Sequence, residues 1–128
     1  MIAGGWPALD GLESAIAILD GHISTPKTWA PRAAAIMARS HLEGVVVESC
    51  RRVGADVPEA SMRSRLIIWR QLGDDAQAVE MASLAWAGLS QACHQHAYEL
   101  TPAVSEIRHL LDLVAAVSLE RGPVDPSI

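Results

Sequence analysis

Apolar residues recur every three or four positions along most of this chain, the spacing that places side chains on one face of an α-helix. The pattern predicts five helical segments, and proline and glycine separate them. They cover 7–20, 28 or 29 to 53, 62–72, a fourth stretch that follows a cap at Asp74 or Asp75, and 102 to about 120. We therefore predict an all-α fold, a four- to five-helix bundle, with one domain over 1–120 and a flexible tail over 121–128.

Each predicted helix has a stripe that we expect to be buried. In the first it is Leu9, Leu12, Ile16 and Leu19; in the second it is Ala35, Ala38, Leu42, Val45, Val46, Ser49 and Val53. In the third it is Met62, Leu66 and Trp69; in the fourth it is Val79, Ala82, Trp86, Leu89, Cys93 and His96. In the last it is Val104, Ile107, Leu111, Val114 and Val117.

Residues that are typical of helix ends define these boundaries more closely. Ser61 is typical of an N-cap, and Gly54 of the position that ends a helix. Gly44 and Gly88 lie inside predicted helices, where glycine is unfavourable by about 1 kcal/mol relative to alanine. We expect each of these two glycines to allow another helix to approach closely.

Composition narrows the class of protein. Of the 128 residues, 50% are hydrophobic and none is Phe, which gives enough apolar material for a helical core. The net charge of −5 argues against binding nucleic acid over the whole surface. Two cysteines, no basic leader and no apolar run of the ~20 residues that span a bilayer predict a cytoplasmic protein without a membrane partner.

Five arginines fall within one stretch of the chain that carries only Asp56 and Glu59 as acids. They are Arg51, Arg52, Arg63, Arg65 and Arg70. Such a run is typical of a solvated helix face, and the alternative is a surface that contacts a protein partner or RNA.

The segment 86–102 has the densest set of reactive side chains. Cys93 and His96 share one helical face and could supply half of a zinc site, which His41 or His109 would have to complete. A structural zinc site usually has two such pairs, so we predict no metal and no cofactor. Cys93 as a nucleophile is the other alternative, but a buried cysteine is usually inert.

His94 is the better catalytic candidate, because it shares a small and polar face with Ser90 and Tyr98. A neutral imidazole on that face can transfer protons near neutral pH. If the protein is an enzyme, we predict that His94, His96 and Tyr98 are its catalytic residues.

Two stretches of the chain are similar to small actinobacterial proteins. They are TWAPRAAAIMARSHLEGVVVESC at 28–50 and LSQACHQHAYELTPAVSEIRHLL at 89–111. Together with SMRSRLIIWRQLG between them, they more distantly resemble HEPN domains over 29–117. HEPN domains are helical bundles of toxin–antitoxin, phage-defence and RNA-processing systems. The resemblance implies a HEPN-like fold and a homodimer.

Active HEPN ribonucleases have an arginine four to six residues before a histidine. Here the matching histidine is His94 or His96, but the window 86–93 contains no arginine. Without it the developing negative charge on the phosphate lacks its cation, unless Arg63, Arg65 or Arg70 supplies one in space. We therefore predict a non-catalytic HEPN-like interaction module with a protein or RNA partner. The alternative is a metal-independent ribonuclease that uses His94 or His96.

Overall fold

The computed structural model describes residues 10–94 and 102–121, with side chains up to residue 118. Within these ranges the regular structure is entirely helical, so the prediction of an all-α bundle is confirmed. The helices are α1 (Gly11–Leu19), α2 (Ala30–Arg52), α3 (Met62–Leu72), α4 (Ala76–Cys93) and α5 (Val104–Arg121). Among the described residues, no helix is both long and apolar enough to cross a membrane.

The 23-residue helix α2 is the centre of the bundle, since it packs against every one of the other four helices. α1 and α5 also contact each other, as do α3 and α4, and α4 packs extensively on α5. The core is built from small and branched aliphatic side chains, and its largest fully buried members include Leu42, Leu89 and Ile107. Because so many of these side chains are alanines, the helices can lie close together.

The buried stripes of the later helices follow the sequence pattern closely. In α3 the residues Met62, Leu66 and Trp69 are all buried, as predicted. In α4 the core positions Val79, Ala82 and Leu89 are buried, while Trp86 and Cys93 are only partly buried. His96, the last residue of the predicted stripe, lies outside the described residues. In α5 the prediction is wrong at Val104, which is 44% exposed because it stands in the first turn, beyond the packed part of the helix.

The first helix begins later than predicted. Asp10 has extended backbone angles, and its carboxylate accepts the backbone N–H of Glu13 at 2.7 Å, so the helix starts at Gly11 rather than at Pro7. The buried side of α1 is centred on Ser14 and Ala15, and Ile16 on the predicted stripe is 40% exposed. The helix cap therefore overrides the apolar spacing at this end of the chain.

Caps at other helix ends agree with the sequence. Ser61 accepts the backbone N–H of Ser64, and Asp75 rather than Asp74 caps α4 through the N–H of Ala78. Gly54, which follows the C-cap residue Val53 of α2, has a φ of +89°, a left-handed conformation that favours glycine.

The glycines inside the helices differ in their surroundings. At Gly88 a Cβ would lie 2.6 Å from Leu110 of α5, so the predicted close approach is confirmed there. At Gly44 the prediction is wrong for this chain, because nothing lies within 4 Å of that position. The pattern missed Gly11, where a Cβ would lie 2.6 Å from the carbonyl oxygen of Met37 and 2.9 Å from the Cβ of His41. α1 therefore crosses α2 closely at Gly11.

Candidate functional site

The C-terminal end of α4 carries the predicted catalytic histidine. His94 is the C-cap residue of α4 and is exposed, and its backbone N–H donates to the carbonyls of Ser90 and Gln91. His96 and Tyr98, the other two predicted catalytic residues, lie outside the described residues. One turn before His94, the side chain of Ser90 belongs to a contact that links α4 to α2.

Arg39 of α2 makes that contact. Its Nε donates to Ser90 Oγ at 3.0 Å, and its guanidinium carbon lies 4.1 Å from the centre of the Trp86 ring. A cation over an indole is stabilised by the negative face of the ring. Together the hydroxyl and the indole fix the guanidinium in one pose, so its remaining N–H donors are held ready for an acceptor.

Most of the described arginines, unlike Arg39, lie beside an acid. Arg51, Arg52, Arg65, Arg70 and Arg108 each lie within 4.0 Å of a carboxylate. In the described part of the chain, Arg39 has no carboxylate at that distance, although the chain has 15 acidic residues against 10 basic ones. A partly buried cation with aromatic and hydroxyl neighbours instead of an acid is suited to an anionic group from outside the chain.

Cys93 lies close to this arginine but is not activated by it. Burial raises the pKa of the Cys93 thiol, and the guanidiniums of Arg39 and Arg32 oppose that effect only in part. Burial also raises the pKa of Cys50, whose thiol donates to the carbonyl of Arg65 at 3.3 Å. Because the thiolate is the nucleophile, neither cysteine has the environment of a catalytic one at neutral pH.

The arginines of the stretch 51–70 do not form one continuous positive surface. Arg51 pairs with Glu48 at 3.9 Å and Asp56 at 3.7 Å, and Arg52 also reaches Glu48. In a separate place, Arg70 of α3 donates to Glu80 of α4 at 3.1 Å. These ion pairs are solvent-exposed and individually weak, but they reduce the positive charge that the stretch presents.

Arg65 is buried and bonds to the backbone of its own chain. Its side chain is 10% exposed, and its guanidinium donates to the carbonyls of Pro58 at 3.0 Å and Val57 at 3.4 Å. Glu43 of α2 lies 3.8 Å away. Arg65 therefore ties the connection between α2 and α3 to the bundle, and Arg63, which is exposed, is the member of the stretch best placed to meet a partner.

Another feature that the sequence analysis missed is a second apolar face on α2, opposite its buried one. We call it the outer face. Its members follow one another at spacings of three and four from the N-cap residue of α2, and they are uncharged up to Arg51, the next position at this spacing: Trp29, Ala33, Ile36, Ser40, Gly44 and Val47. Trp29 is 57% exposed and Ile36 is 51% exposed. Arg39 and Glu43 lie along one edge of this face, and Met37 lies on the other side.

The described residues contain no group of three or more His, Cys, Asp or Glu side chains that is placed to hold a metal ion. His41 of α2 and Cys93 of α4 therefore do not belong to such a group. His96, which the sequence pattern pairs with Cys93 as a zinc ligand, lies outside the described residues.

Comparison of the chain with protein-family models, with curated proteins and with solved structures finds no match.

Proposed function

We propose that this protein is a non-catalytic, HEPN-like helical interaction module. The observation that carries the proposal is the outer face of α2, with Trp29 and Ile36 more than half exposed. A helix that is apolar on two opposite sides is normally covered on both. The other helices of the bundle cover one side of α2, and the outer face is suited to a macromolecular partner.

The chemistry beside the outer face supports binding. Tryptophan and arginine are enriched among the residues that dominate protein–protein interfaces, and Trp29, Trp86 and Arg39 lie on or beside this surface. The indole of Trp86 and the hydroxyl of Ser90 hold Arg39 in place, so little side-chain entropy is lost when it binds an acceptor.

A protein partner fits these observations better than RNA does. RNA binding depends on several cations that contact phosphates together. Arginines of the stretch 51–70 lie against the carboxylates of Glu48, Asp56 and Glu80, which lower the local positive charge. We propose an accessory role in a toxin–antitoxin, phage-defence or RNA-related system, with a homodimer as the assembled form and Arg63 as the main candidate for an additional RNA contact.

One observation favours the alternative, a metal-independent ribonuclease. Because Arg39 bonds to Ser90, a guanidinium lies about one helical turn from His94. That arrangement is a spatial substitute for the arginine that the window 86–93 lacks. In this alternative His94 transfers the proton and Arg39 stabilises the charge that develops on the phosphate.

The deciding experiment is incubation of purified protein with labelled total RNA, with and without EDTA. We expect no cleavage by the folded protein under either condition. Cleavage that resists EDTA and disappears both in His94→Ala/His96→Ala and in Arg39→Gln would overturn the proposal in favour of the ribonuclease. Arg70→Gln is the matched arginine control, because Arg70 pairs with Glu80 away from this surface.

A further inference from the structure

We infer that the occupant of the outer face of α2 is a second copy of this chain, whose own α2 packs against it in the antiparallel direction about a two-fold axis at Ser40. The inference rests on the proposed function, since it names the partner of that same surface. Shape and charge along α2 both support it.

The shape of the outer face is self-complementary. Ile36 and Gly44 each lie four residues from Ser40, one before it and one after it. In an antiparallel pair centred on Ser40, the exposed side chain of Ile36 therefore meets Gly44 of the second copy. Nothing lies within 4 Å of the position that a Gly44 Cβ would take, so the site offers a gap for that side chain. The two-fold axis repeats the same contact on the other side.

The smaller residues of the face fit the same arrangement. Ala33 and Val47 each lie seven residues from Ser40, so they also meet across the axis. Ser40 itself faces Ser40 of the copy, and its small side chain allows the two helices to approach closely. A surface that is complementary to itself in this way is what a two-fold dimer requires.

The charged residues beside the outer face also favour a second copy as the partner. Arg39 and Glu43 lie one turn apart on the same edge of the outer face, and a two-fold axis across the helices keeps that edge on the same side in both copies. Arg39 of one copy then lies beside Glu43 of the other, and the pair occurs twice. Arg39 has no carboxylate within 4.0 Å in the described part of its own chain. The Glu43 carboxylate lies 3.8 Å from Arg65 of its own chain, but its side chain is 49% exposed and can accept from a second cation. The second copy supplies the anion that Arg39 is placed to bind.

The association itself is tested by sedimentation equilibrium of the whole chain at micromolar concentration. We expect a dimer for the unaltered protein and a monomer for Ile36→Asp, with a dissociation constant raised about 100-fold or more because two carboxylates would be buried without partners. The matched control is Leu84→Asp on α4, where the leucine is 55% exposed and away from the outer face. Circular dichroism checks that both variants remain helical.

The register is tested by oxidation in a Cys93→Ser background. Ser40→Cys lies on the proposed axis, so we expect a disulfide between two chains on a non-reducing gel. Ser105→Cys, at an exposed position in the first turn of α5, is the matched control and should stay monomeric on the gel. Reversal of charge adds a second test: Arg39→Glu and Glu43→Arg should each weaken the dimer, and the double variant should restore it.

Any of three results on self-association would overturn this inference. They are a monomeric unaltered protein, a dimer that Ile36→Asp does not weaken, and a dimer without a Ser40→Cys cross-link. Binding of polyglutamate or RNA by a monomer, lost in Ile36→Asp, would also overturn it and would show another occupant of the same face. None of these results involves RNA cleavage, so failure of the dimer is distinguishable from failure of the non-catalytic proposal.

Discussion

The two faces of α2 have similar apolar side chains and opposite surroundings. On the inner face, Ala38, Leu42 and Val46 are completely buried by the other helices of the bundle. On the outer face, Trp29 and Ile36 are more than half exposed. The spacing of apolar residues shows that a face is suited to burial, but it does not show what covers the face. Burial of the inner face stabilises the fold of one chain, whereas the outer face is still available to bind another chain.

The largest effect that tests this comparison comes from truncating one residue on each face. Leu42→Ala should lower the free energy of unfolding by about 2–5 kcal/mol, because it leaves a cavity in the centre of the core. Ile36→Ala should change it by less than about 0.5 kcal/mol in the monomer, because about half of this residue is already exposed to water. Urea denaturation at low protein concentration measures both values.

Raising the concentration then sharpens this first test. If the outer face binds a second copy, the unaltered protein becomes more stable as its concentration increases, while Ile36→Ala gains less. Equal losses of stability for the two variants at low concentration would contradict the division of α2 into a covered face and an open one.

Sequence reasoning succeeded where the structure depends on local periodicity and caps. The inner face of α2 from Ala35 to Ser49, the core of α3 and the caps at Ser61 and Asp75 follow from residues within a few positions of one another. It failed where a second helix decides the outcome. Arg39 and Ser90 are 51 residues apart, so nothing local predicts their bond or the place of Arg39 over Trp86.

The arginine stretch shows the same limit. Five arginines close in sequence predict a cationic surface, but residues from elsewhere in the fold change that surface. Glu43 and the carbonyls of the connection after α2 surround Arg65, and Glu80 of α4 meets Arg70. A count of charges along the chain cannot include acids that folding brings next to them. The candidate site at Arg39 was missed for a related reason, since its neighbours Trp86 and Ser90 belong to another helix.

A smaller effect contrasts Gly11, where α1 crosses α2, with Gly44 on the outer face of α2. Gly11→Ala should lower the free energy of unfolding by about 1–3 kcal/mol, because the new methyl group would press on the backbone of Met37. Gly44→Ala should raise it by up to about 1 kcal/mol in the monomer, because alanine favours the helix and the position is open. Thermal denaturation at low concentration measures both.

The sign of the Gly44 effect also bears on the second copy. In a dimer the added methyl group occupies part of the gap for Ile36, so Gly44→Ala should weaken association while it stabilises each chain. A variant that strengthens both the fold and the dimer would show that Gly44 lies outside the interface. Stabilisation by Gly11→Ala would contradict the close crossing of α1 and α2.

The smallest effect is a shift in the titration of Cys93 beside the outer face. Burial raises the pKa of this thiol, and the guanidiniums of Arg39 and then Arg32 lower it. Removing a group that lowers the pKa must raise it, so in Arg39→Gln the alkylation rate of Cys93 should rise with pH at a more alkaline midpoint than in the unaltered protein. Mass spectrometry of the peptide that contains Cys93 follows the rate without interference from Cys50, and Arg70→Gln should leave the midpoint unchanged.

The same titration reports on what lies next to Arg39. If Glu43 of a second copy pairs with Arg39, its negative charge offsets the guanidinium that favours the thiolate, and the Cys93 pKa should be higher in concentrated protein than in dilute protein. A midpoint that is independent of concentration in a protein that does dimerise would place the carboxylate elsewhere and contradict the proposed register. A thiol on α4 thus distinguishes an Arg39 that faces water from one that faces another copy of α2.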